Sequence, residues 1–262
     1  MRNLVKNFNA TPLDLTKVFD SVKSLRLVNS QKEKLVIILG ATSTGKSSLA
    51  LKLAEKFGTE IISADSMAVY KNFNVGTAKP KQAELERVPH HLINILDAEE
   101  KFSVGKFVRL ARPIITQLNQ LGKIPIVAGG TGLYIQALVE GYELSGGKSL
   151  ISHYKRTGEL LYTARIYGLT SGRAELYDRI NQRTEKMFAD GLIDEVKELL
   201  ASGISPKAQA MRGIGYKEAV EYLQGGATLD ETISKVAQAT RNFAKRQLTW
   251  YRRMNYITWL EI

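Results

Sequence analysis

From Leu35 onward, short apolar runs alternate with stretches whose apolar residues recur every three or four positions. Leu35–Leu39, Glu60–Ala64, His91–Leu96, Ile124–Ala128 and Ala164–Leu169 read as strands. Between them Lys46–Phe57 and Phe107–Leu121 read as amphipathic helices, and a further helix starts at Leu133. Such alternation predicts an α/β fold, a parallel sheet flanked by helices. After Gly172 the pattern is helical throughout: Ala174–Met187, Leu192–Ala201, Gly215–Leu223 and a long Leu229–Met254. In the last of these, Leu229, Ile233, Val236, Ala237, Thr240, Ala244, Leu248 and Tyr251 share one side and are expected in the core. Arg241, Lys245, Arg246, Arg252 and Arg253 form a basic ridge off that stripe. Three regions follow: an N-terminal extension over 1–34, expected to be flexible or peripheral with a short helix within Leu13–Leu27; an α/β core over 35–172; and a helical region over 173–262 that completes the core.

Composition narrows the chemistry. The chain has 262 residues, enough for a large α/β domain, with no cysteine and three histidines. Disulfides, a thiol nucleophile and cysteine-based zinc sites are thereby excluded. No apolar run nears the roughly 18 residues of a membrane span, so a soluble chain with no membrane partner is expected. Asp14, Asp20 and the scarcity of arginine in the first 34 residues argue against an organellar leader, which leaves a cytoplasmic location as the expectation; a monomer is expected as well. The net charge of +11, from 37 Lys plus Arg against 26 Asp plus Glu, suits a polyanion such as nucleic acid, though a basic protein without such a partner has the same balance.

The sharpest local signal is Gly40-Ala41-Thr42-Ser43-Thr44-Gly45-Lys46-Ser47, set between a buried strand and an amphipathic helix. Backbone N–H groups of such a turn and the helix start cradle phosphate oxygens, with Lys46 adding charge and the Ser47 hydroxyl suited to Mg²⁺. In open α/β sheets ligands bind beyond the C-terminal strand ends, where Asp65-Ser66 and Gly130-Thr131 also fall. Asp65 suits a metal ligand or a proton acceptor, or simply caps the next turn. Thr131 has a similar pair of readings. His90 and His91 read as a structural pair at a strand entrance. Arg179 and Arg183, four apart on one helix face, can reach the same anion or serve as surface arginines. Met211-Arg212-Gly213-Ile214-Gly215-Tyr216-Lys217 combines glycines, a stacking Tyr and basic flanks, a set that suits RNA but also a hinged helix start.

Together these blocks resemble the tRNA dimethylallyltransferases, which prenylate N6 of the adenine beside the anticodon, adenine 37. The likeness runs from Leu35 to about Trp259 through Gly40–Ser47, Asp65-Ser66-Met67-Ala68-Val69-Tyr70, Gly76-Thr77-Ala78-Lys79, Pro89-His90-His91-Leu92-Ile93, Gly129-Gly130-Thr131-Gly132-Leu133-Tyr134-Ile135, Arg179-Ile180-Asn181-Gln182-Arg183, Gly215-Tyr216-Lys217-Glu218 and Lys245-Arg246-Gln247-Leu248-Thr249-Trp250. The resemblance implies a P-loop kinase-like sheet whose phosphate loop holds dimethylallyl diphosphate with Mg²⁺ on Ser47. It implies that Lys46 and Arg183 neutralise the leaving diphosphate, that Asp65 takes the N6 proton, and that Thr131 and Thr42 hydrogen-bond around the reacting groups. The implied tRNA contacts are Asp65, Ser66, Met67, Ala68, Arg212, Gly215, Tyr216, Lys217, Lys245, Arg246, Gln247, Thr249, Trp250 and Arg252, with the anticodon stem-loop as partner.

Departures from the family pattern are Ala68 where Gln is usual, Asn94 where Asp is common and Gly213 where Ala is common. A helical insertion usual after the helix begun at Gly132 is largely missing near 140–141, and Gly141–Lys148 resembles its end. Its loss predicts a weaker grip on RNA and an intact chemical site. Rival readings are an adenylate isopentenyltransferase acting on free nucleotides, a small-molecule kinase, and a catalytically degenerate RNA-binding homologue.

Overall fold

The computed structural model describes residues 8–141 and 159–262. Seven strands, β1 (Thr11–Pro12), β2 (Lys34–Gly40), β3 (Ile61–Ser63), β4 (His90–His91), β5 (Ile126–Gly129), β6 (Thr163–Thr170) and β7 (Thr258–Glu261), form one sheet in the order β1-β7-β6-β2-β5-β3-β4. Every neighbouring pair is parallel. Strand β2 lies in the middle, and the chain leaves it for β3 on one side and later reaches β6 on the other. That reversal is the crevice where an open sheet takes its ligand.

Alternate residues of β2 enter two separate cores. Leu35, Ile37 and Leu39 face one cluster, while Val36 and Ile38 face the other, which explains why the strand is apolar throughout rather than alternating. The first cluster is covered by α4 (Val104–Gln120), α5 (Gly132–Val139), α6 (Arg173–Ala189), α7 (Leu192–Ala201), α8 (Tyr216–Leu223) and α9 (Leu229–Tyr251). The second is covered by α1 (Leu15–Leu27) and α2 (Lys46–Phe57), and a short α3 (Gln82–Arg87) precedes β4.

Four expectations need correction. Residues 8–34 are no peripheral extension. Asp14 caps α1 by accepting from the Thr16 and Lys17 N–H groups, Val18, Val22 and Leu25 are buried against the sheet, and β1 pairs with β7. The apolar run 91–96 is strand only at its start, because Leu92 and Asn94 adopt φ of 62° and 55°, which breaks the extended backbone. Strand β6 is not the last strand, since β7 follows α9. In α9, Leu229 is 42% exposed on the first turn, whereas Thr232 and the polar Gln247 are buried.

The chain continues without interruption from α5 through Glu140 to Gly141. The Leu161 N–H donates to the Val139 carbonyl at 2.8 Å. The resemblance noted for Gly141–Lys148 lies, beyond Gly141, outside the described residues.

Candidate active site

The loop after β2 is shaped by its own sequence. Gly40 has φ 154°, and a Cβ there would sit 2.7 Å from the Leu169 carbonyl oxygen on β6, so only glycine lets the loop leave the strand. Gly45, with φ 73°, then opens α2. Thr44, buried, donates its hydroxyl to the Ala41 carbonyl at 2.7 Å, and Lys46 Nζ donates to the same oxygen at 2.7 Å. Ser43 also has positive φ, and its buried hydroxyl has no hydrogen-bond partner among the described residues.

The ends of β3 and β5 converge on this loop. At Gly129 a Cβ would strike the Ala64 backbone, so the two strand ends approach as only glycine permits. The Thr131 hydroxyl accepts the Ser66 N–H at 3.2 Å, which ties the β5 end to the Asp65 turn. Asp65 Oδ1 accepts from Met67 N (2.8 Å) and Ala68 N (3.3 Å), while Oδ2 accepts no hydrogen bond from the described residues. One oxygen therefore caps the turn, the structural reading of Asp65, and the side chain also lines a cavity.

That cavity is shared by Thr42, Lys46, Ser47, Asp65, Ala68, Arg183 and Gln247. Arg183 Nη1 donates to the Thr42 hydroxyl at 3.2 Å. Burial, then the nearby Arg183 charge, pushes Lys46 down to about 7, with Asp65 opposing the shift. Burial also lowers Arg183 from its ordinary value, again opposed by Asp65. Two cations held close together against their own preference form a site that gains from an anion. Ser47 adds an exposed hydroxyl at the start of α2.

Other expected residues stand elsewhere. Arg179 is ion-paired with Glu175 at 2.7 Å and is absent from the cavity wall, so it does not share the anion with Arg183. Thr131 is likewise behind the wall rather than in it. Tyr216 is buried and donates to Glu195 at 2.7 Å, so its ring is not available to stack on a base. Gly215 is buried at the start of α8, and the Trp250 ring packs over Gly132. Gln247 is a buried strut: its Oε1 accepts from Thr42 N at 2.9 Å and its Nε2 donates to the Gly130 carbonyl at 2.8 Å. It joins α9 to the loops after β2 and β5. Arg212, Lys217, Lys245, Arg246, Thr249 and Arg252 are exposed, and Met67 and Ser66 partly so.

Sequence reasoning gave no cavity role to Lys79 or His90, which also line the wall, and it missed Glu195. His90 Nδ1 lies 2.7 Å from the Val88 carbonyl and His91 Nε2 lies 2.7 Å from Glu60 Oε2, which fits the structural reading of the pair. Lys79 was visible only as part of the Gly76–Lys79 block. Glu195 carried no signal, because nothing in α7 announces what it touches. Its carboxylate accepts from Asn74 N (2.8 Å), Val75 N (2.8 Å), Gly76 N (3.3 Å) and the Tyr216 hydroxyl, and so fixes the loop that bears Thr77–Pro80 on the cavity wall. Glu195→Ala should cost about 1–3 kcal/mol, since the Tyr216 hydroxyl and the part-buried Val75 and Gly76 N–H groups lose their acceptor while the exposed Asn74 N–H turns to water. Urea unfolding checks this, and an unchanged midpoint would remove Glu195 from that role.

Known proteins share this arrangement of sequence and fold. The sequence profile described as IPP transferase matches residues 68–149 and 140–254, and that described as isopentenyl transferase matches 33–97. A tRNA dimethylallyltransferase of Carboxydothermus hydrogenoformans is 41% identical over 287 residues, covering 87% of this chain and 92% of its own length. Since 87% of 262 residues is about 228, about sixty aligned positions of that relative have no counterpart here. The two IPP transferase matches overlap at 140–149. Among solved structures, the full-length tRNA isopentenylpyrophosphate transferase of Bacillus halodurans superposes with TM-score 0.80 at 37% identity, over 88% of this chain and 90% of that one. A eukaryotic dimethylallyltransferase acting on tRNA gives TM-score 0.77 at 25% identity, over 87% of this chain and 74% of that one.

Proposed function

This chain belongs to the IPP transferase family, and on that premise we propose that it transfers a dimethylallyl group from dimethylallyl diphosphate to N6 of adenine 37 beside the tRNA anticodon. The observation that carries the reading is one cavity lined by Lys46, Arg183 and Asp65, whose Oδ2 accepts no hydrogen bond from the described residues.

The diphosphate sits in the nest of the Gly40–Ser47 loop, with Lys46 and Arg183 offsetting its charge. Exocyclic N6 attacks C1 of the allyl group, the C1–O bond breaks, and its electron pair leaves with the diphosphate. N6 gains a bond to carbon and gives its proton to Asp65 Oδ2. Because the N6 lone pair is delocalised into the purine ring, orientation, the stabilised leaving group and the placed base supply the rate. The adenine reaches the cavity only after leaving its stack. The oxygen donors Ser47 and diphosphate fit Mg²⁺, and no group of three or more His, Cys, Asp or Glu among the described residues offers a protein-only cage. When bound, Mg²⁺ neutralises charge on the diphosphate oxygens. The exposed Arg212, Lys217, Lys245, Arg246 and Arg252 offer phosphate contacts for the anticodon arm.

Labelled dimethylallyl diphosphate offered with AMP or with an anticodon stem-loop containing A-A-A tests the acceptor. Label is expected in the RNA. The roughly sixty missing positions favour a looser hold on RNA, so label confined to the nucleotide would replace the tRNA reading with the free-nucleotide one. RNA bound without transfer would make the protein a non-catalytic binder.

A further inference from the structure

A second cavity adjoins the catalytic one. It measures about 690 Å³ and shares Ala78, Lys79, Pro80 and Arg183 with its neighbour as a common wall. Beyond that wall stand Lys81, Lys186, Asn74 and Asn94. We propose that this cavity holds backbone phosphates of the RNA on either side of the target adenine. The proposal rests on the prenyl-transfer reading and gives the polynucleotide a binding surface that the basic ridge of α9 does not supply.

The charge of the cavity suits phosphate. Four cations face a single carboxylate, Asp190, which Lys186 already engages at 2.8 Å. Lys79 Nζ donates to the Tyr70 carbonyl, to Asn94 Oδ1 at 2.6 Å and to Asn74 Oδ1 at 3.4 Å. These acceptors are neutral, so they hold the ammonium in place without cancelling its charge. Burial lowers Lys79 to about 8, with the Glu195 and Asp65 carboxylates pulling the other way. The Lys81 ammonium forms no ion pair among the described residues.

The position of the cavity suits a polynucleotide. Prenyl diphosphate already has the Gly40–Ser47 nest, whose Thr42, Lys46 and Ser47 line the first cavity and not the second. An adenine seated at Asp65 carries its ribose and two phosphates with it, and these need room beside the base. The adjoining space meets that need, and Leu85 and Met187 give it apolar surface for a sugar or neighbouring base. Glu195 holds the near wall rigid through its bonds to the 74–76 backbone.

The test uses the full chain with Lys81→Gln and Lys186→Gln combined. Both side chains are exposed and outside the catalytic cavity. Affinity for the anticodon stem-loop is measured across salt concentrations, beside affinity for inorganic pyrophosphate. The expected result is a slope of log K against log salt reduced by about 0.7 for each phosphate no longer neutralised, with pyrophosphate affinity unchanged. An unchanged RNA slope overturns the proposal. Weakened pyrophosphate binding with an unchanged RNA slope also overturns it, by assigning the cavity to the prenyl donor. Label transfer by the wild type is scored separately, so failure of the enzymatic reading and failure of this site are told apart.

Discussion

Asp65→Asn is expected to lower kcat by roughly 10²–10⁴, the usual contribution of a placed general base. The substitution suits the question because the two oxygens of Asp65 have different duties. Oδ1 accepts from the Met67 and Ala68 N–H groups, and an asparagine oxygen accepts them equally well. In the proposed mechanism Oδ2 takes the N6 proton, and an amide nitrogen cannot do so. The turn, the melting temperature and RNA affinity should therefore survive while turnover collapses. Single-turnover label transfer with saturating RNA measures the effect. Near-normal turnover would reduce Asp65 to a turn cap.

Lys46→Met should lower transfer by roughly 10²–10³, the scale lost with one donor to a developing anion. Its stability should move the other way. The wild type buries an ammonium near Arg183, whereas methionine has a similar shape and no charge to desolvate. The pH dependence carries a definite sign. The unfolded Lys46 holds its proton up to about 10.5 and the folded one only to about 7. Between those values the unfolded chain binds more protons, so wild-type stability should fall as pH rises through the folded value's window only if that order were reversed; with this order it should rise with pH from 7 toward 10.5. Lys46→Met should flatten that slope. Urea midpoints at pH 7 and pH 9 for both proteins check it, and parallel profiles would mean that Lys46 is not strained. Bound pyrophosphate supplies the missing counter-charge and should flatten the wild-type slope as well.

Much was legible in the sequence because it was local. The phosphate loop could be placed since one strand, two glycines and one helix start are contiguous. Asp65 and Gly130 could be assigned to the same crevice since a parallel sheet puts all strand ends on one side, although Thr131, grouped with Gly130, stands behind the wall. The boundaries of α2 and α7 fell where their caps and glycines put them. Strands β1 and β7 were not legible, because two to four residues make no period and their partner strands are supplied by distant parts of the chain.

The sequence by itself determined the alternation of the α/β core, the phosphate nest and the chemical types that meet at its mouth. Only the tertiary structure decided which of those residues touch. Gln247 and Tyr216 sit in blocks that read as RNA contacts, yet α9 and α8 turn them inward, where their polar atoms bond the catalytic loops and Glu195. Arg183 and Arg179 lie on the same face of a helical wheel, yet only Arg183 is aimed at the cavity. A side chain's burial depends on which element lies across from it, and that is a long-range fact with no local pattern to report it.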